Sequence, residues 1–256
     1  MSFVSYRFES GCARITLTDG DRGNPVHSDM VEELFAAVRR ASADSARVIV
    51  LSAQGRFFSV GGDLAAFASA ADMSNYIDDL ADSLHRVVSE LVRADAVVVS
   101  VVQGPAAGAG FPLAAAADII IAAQTATFSL GYTKVGLNVD GGTSLLVHSL
   151  GLHRSLRLAL LNDAISADEA LATGLVARVA PDGDLDRVAE KIVDQVLAGP
   201  AGGQAATKQL LRATADAAPE SALRREALAI RTTAGDPDAR EGVGAFLAKR
   251  RPEFAR

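Results

Sequence analysis

Phe57-Phe58-Ser59-Val60-Gly61-Gly62-Asp63-Leu64 and Gln103-Gly104-Pro105-Ala106-Ala107-Gly108-Ala109-Gly110-Phe111-Pro112-Leu113 are two glycine-rich turns about 45 residues apart. Each follows an apolar run, Val48-Ile49-Val50-Leu51 before the first and Val97-Val98-Val99-Ser100-Val101-Val102 before the second. Both runs are too short and too β-branched for helices and read as buried strands, as does Ile119-Ile120-Ile121. Helical patterns over 73–93 and 108–117 lie between them, so strands alternate with helices and the fold class is α/β. Small residues at such strand ends let the backbone bend and leave N–H groups uncovered, as a site that grips an oxygen with main-chain donors requires.

Working outward, residues 3–8 and 13–17 predict two short strands joined at Gly11. From Ser28 the apolar positions Met30, Val31, Leu34, Phe35 and Val38 fall at helical spacing, with Ser28 or Asp29 as N-cap. From about 184 onward the strand signal disappears. Leu185, Val188, Ala189, Ile192, Val193, Val196 and Leu197 mark one helix stripe, followed by helical segments near 202–216, 219–233 and 237–248. The domain reading is a core over 1–198 and a helical region over 199–256, whose apolar faces dock on the core or on a sister subunit.

With 256 residues, 49% of them hydrophobic, and a formal charge of -6, the chain reads as a soluble globular protein, and a polyanionic partner such as nucleic acid is disfavoured. Cys12 is the lone cysteine, which excludes an intrachain disulfide and a cysteine metal cluster. The histidines His27, His85, His148 and His153 are dispersed, without the spacing of a metal site, and no metal is expected. No signal-like or membrane-spanning run is evident, and a cytoplasmic location is the expectation.

The turns and several later blocks resemble the crotonase superfamily of enoyl-CoA hydratases and isomerases. The matching blocks are Asn24-Pro25-Val26, Gly61-Gly62-Asp63-Leu64, Gly108-Ala109-Gly110, Gly136-Leu137 with Asp140 and Gly142-Thr143, Ala170 to Val176, and Glu241-Gly242, Phe246, Lys249-Arg250 and Pro252. The resemblance implies a spiral of strand-strand-helix repeats, with C-terminal helices that assemble trimers or dimers of trimers. It also implies an acyl-coenzyme A thioester as ligand, with coenzyme A present only as part of the substrate and no permanently bound cofactor. The backbone N–H groups of Gly62 and Ala109 match the oxyanion hole. Val26, Val60, Gly61, Asp63 and Leu64 match positions along the coenzyme A path, and Lys249 matches a C-terminal lysine that reaches its phosphates.

Family hydratases add water with two glutamates, and the corresponding positions here hold Pro112 and Tyr132. Proline has no titratable group and tyrosine ionises near pH 10, so neither does a carboxylate's work, and both become pocket residues. An ordinary hydratase is therefore disfavoured. Asp140 remains, in a Gly-Leu-x-x-Asp-x-Gly-Thr loop that looks like that of the dienoyl-CoA isomerases, although those carry further acids where this chain has Pro112 and Tyr132. Dehalogenases of the superfamily use an aspartate at this position as a nucleophile. The resemblance implies an enoyl- or dienoyl-CoA double-bond isomerase with Asp140 as the shuttling base; a non-catalytic acyl-CoA binder and a hydrolase or lyase are alternatives. By its residue type alone, Asp140 is equally suited to cap the helix expected from Thr143. His85 reads as a packing residue ahead of one facing the acyl pocket, Tyr132 as pocket wall ahead of a hydroxyl donor to substrate or to Asp140, Asp63 as a turn-forming residue, and Ala107 and Phe111 as further pocket residues.

Overall fold

A computed structural model describes residues 2–215 and 218–254. The chain begins with β1 (Val4–Glu9) and β2 (Cys12–Leu17), antiparallel partners that turn at Gly11, where φ is 81°. It continues through α1 (Ser28–Ala43), β3 (Val48–Ala53), α2 (Leu64–Ser69), α3 (Met73–Arg93), β4 (Val97–Val102), β5 (Ala106–Ala107), α4 (Gly110–Ala115), β6 (Ile119–Ala123) and β7 (Thr127–Ser129). Then come α5 (Leu146–Leu150), α6 (Leu152–Leu161), β8 (Ala164–Ser166), α7 (Ala167–Ala172), β9 (Arg178–Ala180), α8 (Leu185–Leu197), α9 (Ala201–Ala215), α10 (Pro219–Gly235) and α11 (Pro237–Leu247).

The main sheet has the order β1-β2-β3-β4-β6-β9, with every pairing after the first hairpin parallel. Its middle strands are rich in Val and Ile on both faces because both are covered, as parallel sheets require. A small second sheet, β5-β7-β8, stands beside it. These short strands escaped the periodicity reading, because two or three residues carry no detectable alternation.

The small sheet matters because it ties the two glycine turns together. Ala107 N–H donates to the Ser59 carbonyl at 2.9 Å, and Gly108 N–H donates to Ser129 at 3.0 Å. The first turn is held from its other side by Val26, whose N–H donates to Gly61 and whose carbonyl accepts from Asp63. At Gly61, where φ is 88°, a Cβ would lie 2.9 Å from the Ala107 carbonyl oxygen, so contact between the turns needs glycine there.

The expected long elements form with boundaries within a few residues of the readings above. The cap of α1 is different: His27 is the N-cap, its Nδ1 accepting from Met30 N–H, and Ser28 and Asp29 already lie inside the helix. The helix expected from Thr143 opens as a 3-10 turn over Thr143–Leu145 before α5. The C-terminal helices fold back on the body: α10 runs along α3, and α11 packs on α2 and on a 3-10 turn, Tyr132–Val135. On α9, the buried Lys208 donates to the Leu91 and Ala96 carbonyls and pairs with Asp118 at 2.8 Å. No helix among the described residues is long and apolar enough to cross a membrane.

Candidate active site

A cleft of about 450 Å³ opens where the glycine turns meet α2 and α3. Apolar side chains of the helices form one wall, including Phe67, Ile77, Leu80 and Leu84. Gly62, Ala109, Tyr132, Leu137 and Asp140 also line it, and Ile230, Phe246 and Leu247 contribute from the C-terminal helices. Neither the Gly62 nor the Ala109 N–H donates a hydrogen bond to a described residue, so two main-chain donors on adjoining turns are uncommitted at the cleft.

Asp140 is buried, with its carbonyl gripped by the Tyr132 hydroxyl at 2.9 Å and the Thr143 hydroxyl at 2.7 Å. Its side chain does not cap the turn that follows: Gly142 is the N-cap there, with no side-chain cap bond. The carboxylate meets His85 of α3 instead. His85 Nε2 lies 3.0 Å from Asp140 Oδ1 and 3.8 Å from Glu226 Oε2 of α10, off the axis of a linear hydrogen bond. Glu226 in turn accepts from Gly142 N–H at 2.8 Å and Ser144 N–H at 2.6 Å, which pins the Asp140 loop from behind.

Ligand atoms of His85, Asp140 and Glu226 all fall within 4.8 Å of one another. Glu226 accepts two backbone N–H groups and Nε2 faces Oδ1, so the three side chains form one buried charge cluster. Burial works against a charged imidazole in His85, but the neighbouring Asp140 and Glu226 outweigh it and raise its pKa above the ordinary value. Burial also raises the pKa of Glu226, only partly offset by its N–H donors. Tyr132 is pushed well above 10, by burial first and by Asp140 and Glu226 next, so its hydroxyl keeps its proton and acts as a donor.

Val26, Val60, Asp63 and Leu64 also line the cleft. Asp63 is the N-cap of α2, accepting from Ala65 and Ala66 N–H, and pairs with Arg22 at 2.6 Å. Burial opposes its charge, but the Ala66 N–H and Arg22 hold its carboxyl below the usual range. Other expected site residues lie elsewhere. Gly61 spends its N–H on Ser59 Oγ and its carbonyl on Val26, shaping the turn and not facing the cleft. Pro112 turns toward a separate cavity of about 230 Å³ beside Val88 and Leu146. Phe111 is enclosed in the core, and Lys249 stands exposed in the turn after α11, outside the cleft lining.

Tyr132 is wall and also donates to Asp140, the second of the roles its residue type allowed; His85, expected as a packing residue, is a charge partner as well; and Glu226, not singled out from the sequence, is a further buried carboxylate behind Asp140. A sequence signal existed for Glu226, which sits on the stripe Leu223, Ala227 and Ile230 where an apolar residue is expected.

Residues 7–256 match the enoyl-CoA hydratase/isomerase family. The chain belongs to that family. Among curated relatives, a probable enoyl-CoA hydratase of Rhodobacter capsulatus is 36% identical, over 99% of both chains. The 1,2-epoxyphenylacetyl-CoA isomerase of Escherichia coli is 34% identical, over 99% of this chain and 98% of its own. A solved enoyl-CoA hydratase from Mycobacterium avium subsp. paratuberculosis superposes with a TM-score of 0.91 at 31% identity over the full length of both chains. Membership makes an acyl-CoA thioester the family's kind of substrate and the crotonase fold its architecture.

Proposed function

We propose that this protein shifts a double bond in an enoyl- or dienoyl-CoA, with Asp140 carrying the proton and the Gly62 and Ala109 N–H groups holding the thioester oxygen. One observation carries the reading: of the two carboxylates lining the cleft, Asp63 is spent on α2 and Arg22, which leaves Asp140 as the one to act on a bound thioester. A hydratase holds its water between two acids, and here the second acid, Glu226, lies behind the loop and outside the lining. A single base suffices for isomerisation. Asp140 takes a proton from the carbon beside the thioester, the two N–H donors stabilise the dienolate, and the same carboxyl returns the proton two carbons further along. Preorganised donors of this kind are worth about 10²- to 10³-fold each. The name of the E. coli relative, an isomerase of an epoxyphenylacetyl-CoA, supports isomerase chemistry of some kind on this fold.

The closeness of His85 to Asp140 favours one second reading, a hydrolase in which Asp140 attacks the thioester carbonyl, the C–S bond breaks to release coenzyme A as the thiolate, and water activated by His85 hydrolyses the resulting anhydride at the Asp140 carboxyl carbon. Against it, His85 does not line the substrate cleft and reaches Asp140 from the far side.

The deciding experiment incubates wild type and Asp140→Asn with 3-enoyl- and dienoyl-CoA thioesters in D₂O. Double-bond migration with deuterium uptake, reduced at least 100-fold in the variant while thioester binding persists, is the expected result. Binding without exchange across the panel sinks the isomerase reading, and ¹⁸O from labelled water appearing in Asp140 supports the nucleophilic one.

A further inference from the structure

Behind the substrate cleft, on the far side of His85, lies a second hollow of about 400 Å³ between α1, α3 and α10. His85 lines this second hollow and not the first, so the imidazole separates the two and touches the reacting carboxylate from its protein side. Such a position suits a group that sets the charge of Asp140 without meeting substrate.

We propose that His85 is the positioning cation of this site: as an imidazolium it holds Asp140 in its carboxylate form and in one orientation beside a second buried carboxylate, Glu226. The proposal rests on the reading of Asp140 as the proton carrier. Two carboxylates within 4.8 Å of a shared neighbour do not both stay ionised in a buried site without a cation between them. Glu226 cannot withdraw, because its oxygens fasten Gly142 and Ser144 and so fix the Asp140 loop. His85 is the cation that reaches both, at 3.0 Å and 3.8 Å.

The other charged groups around the imidazole are largely satisfied among themselves. On α3, Asp82 pairs with Arg224 of α10 at 3.1 Å, Glu90 pairs with Arg39 of α1 at 3.1 Å, and Arg86 lines the hollow. On α10, Glu220 pairs with Arg93, and from the Asp140 side Tyr132 offers a neutral hydroxyl. Asp140 and Glu226 therefore remain as the carboxylates that need His85.

¹⁵N spectra of histidine-labelled wild type read the charge directly, since the chain has four histidines and His85→Gln assigns the signal. The expected result is an imidazolium at pH 7.5, with both ring nitrogens protonated; a neutral His85 at that pH overturns the proposal. In Asp140→Asn the imidazolium should lose its proton at lower pH than in wild type. Isomerase kinetics supply the second arm. His85→Gln should move the acid limb of the kcat profile up by about 1 to 3 pH units, a tenfold loss for each unit on the acid side of the limb, with KM little changed. Adding Glu226→Gln to His85→Gln should move the limb back down, a rescue that a purely structural histidine would not show. Failure of that rescue with an otherwise folded double variant counts against the proposal. If Asp140→Asn keeps full turnover, the isomerase reading falls while the spectra still report the charge of His85.

Discussion

Asp140 illustrates how one residue's role is decided by what its neighbours leave free. Its carbonyl is clamped by Tyr132 and Thr143, one oxygen faces His85, and the residue lines the apolar cleft. The proposed oxyanion donors are backbone groups, so an alanine at 109 can supply its N–H as a glycine would, the side chain playing no part in it. Gly62 is less tolerant. A Cβ there would stand 2.6 Å from Phe67 Cζ, so Gly62→Ala must push the ring into the cleft or tilt the N–H away from the thioester. We expect a fall in kcat on the order of 10²-fold, the typical cost of one oxyanion donor. Steady-state kinetics with the best isomerisation substrate check this, and wild-type turnover would show that Gly62 N–H does not hold the oxyanion.

The helices decide the cleft's shape. Asp63 caps α2, a 6-residue helix too short to persist by its own propensity, and α2 carries Phe67 into the cleft wall. Asp63→Ala should cost about 1 kcal/mol through the lost cap and should raise KM more than it lowers kcat. Thermal unfolding together with kinetics checks both; unchanged stability would mean the cap is dispensable. The long α3 was legible as a helical stretch over 73–93, and the structure puts His85 on its buried face. Periodicity gives the face a residue occupies but not what waits across it, and the partners of His85 come from a loop 55 residues away and a helix beyond that. The short strands and 3-10 turns of the 127–145 region were not legible, since their conformation is imposed by contacts with α4 and α11 and not by local pattern.

At the scale of the molecule, the chain folds its C-terminal helices onto its own body yet keeps apolar side chains outward. Leu152, Leu156, Leu160 and Leu161 on α6 are exposed, as are Leu210 and Leu211 on α9. Exposed leucines of this kind suit an association surface. We expect the 199–256 region, together with α6, to assemble the protein, with light scattering giving three or six times the 26.5 kDa chain. A monomer at micromolar concentration would refute that expectation.

The sequence by itself determined the α/β plan, the two glycine turns, the helical C-terminal region and the family. It did so because β-branched runs, helical stripes and backbone-bending glycines act over a few residues and leave local marks. It also excluded the paired acids of a hydratase at Pro112 and Tyr132, since residue type settles that chemistry wherever the side chains point. Only the tertiary structure decided that Asp140 shares its buried site with His85 and Glu226, that Tyr132 clamps its backbone, and that Pro112 faces another cavity. Coulomb energy between charges depends on their distance through space and on the exclusion of water around them, and neither quantity is written in the order of residues along the chain.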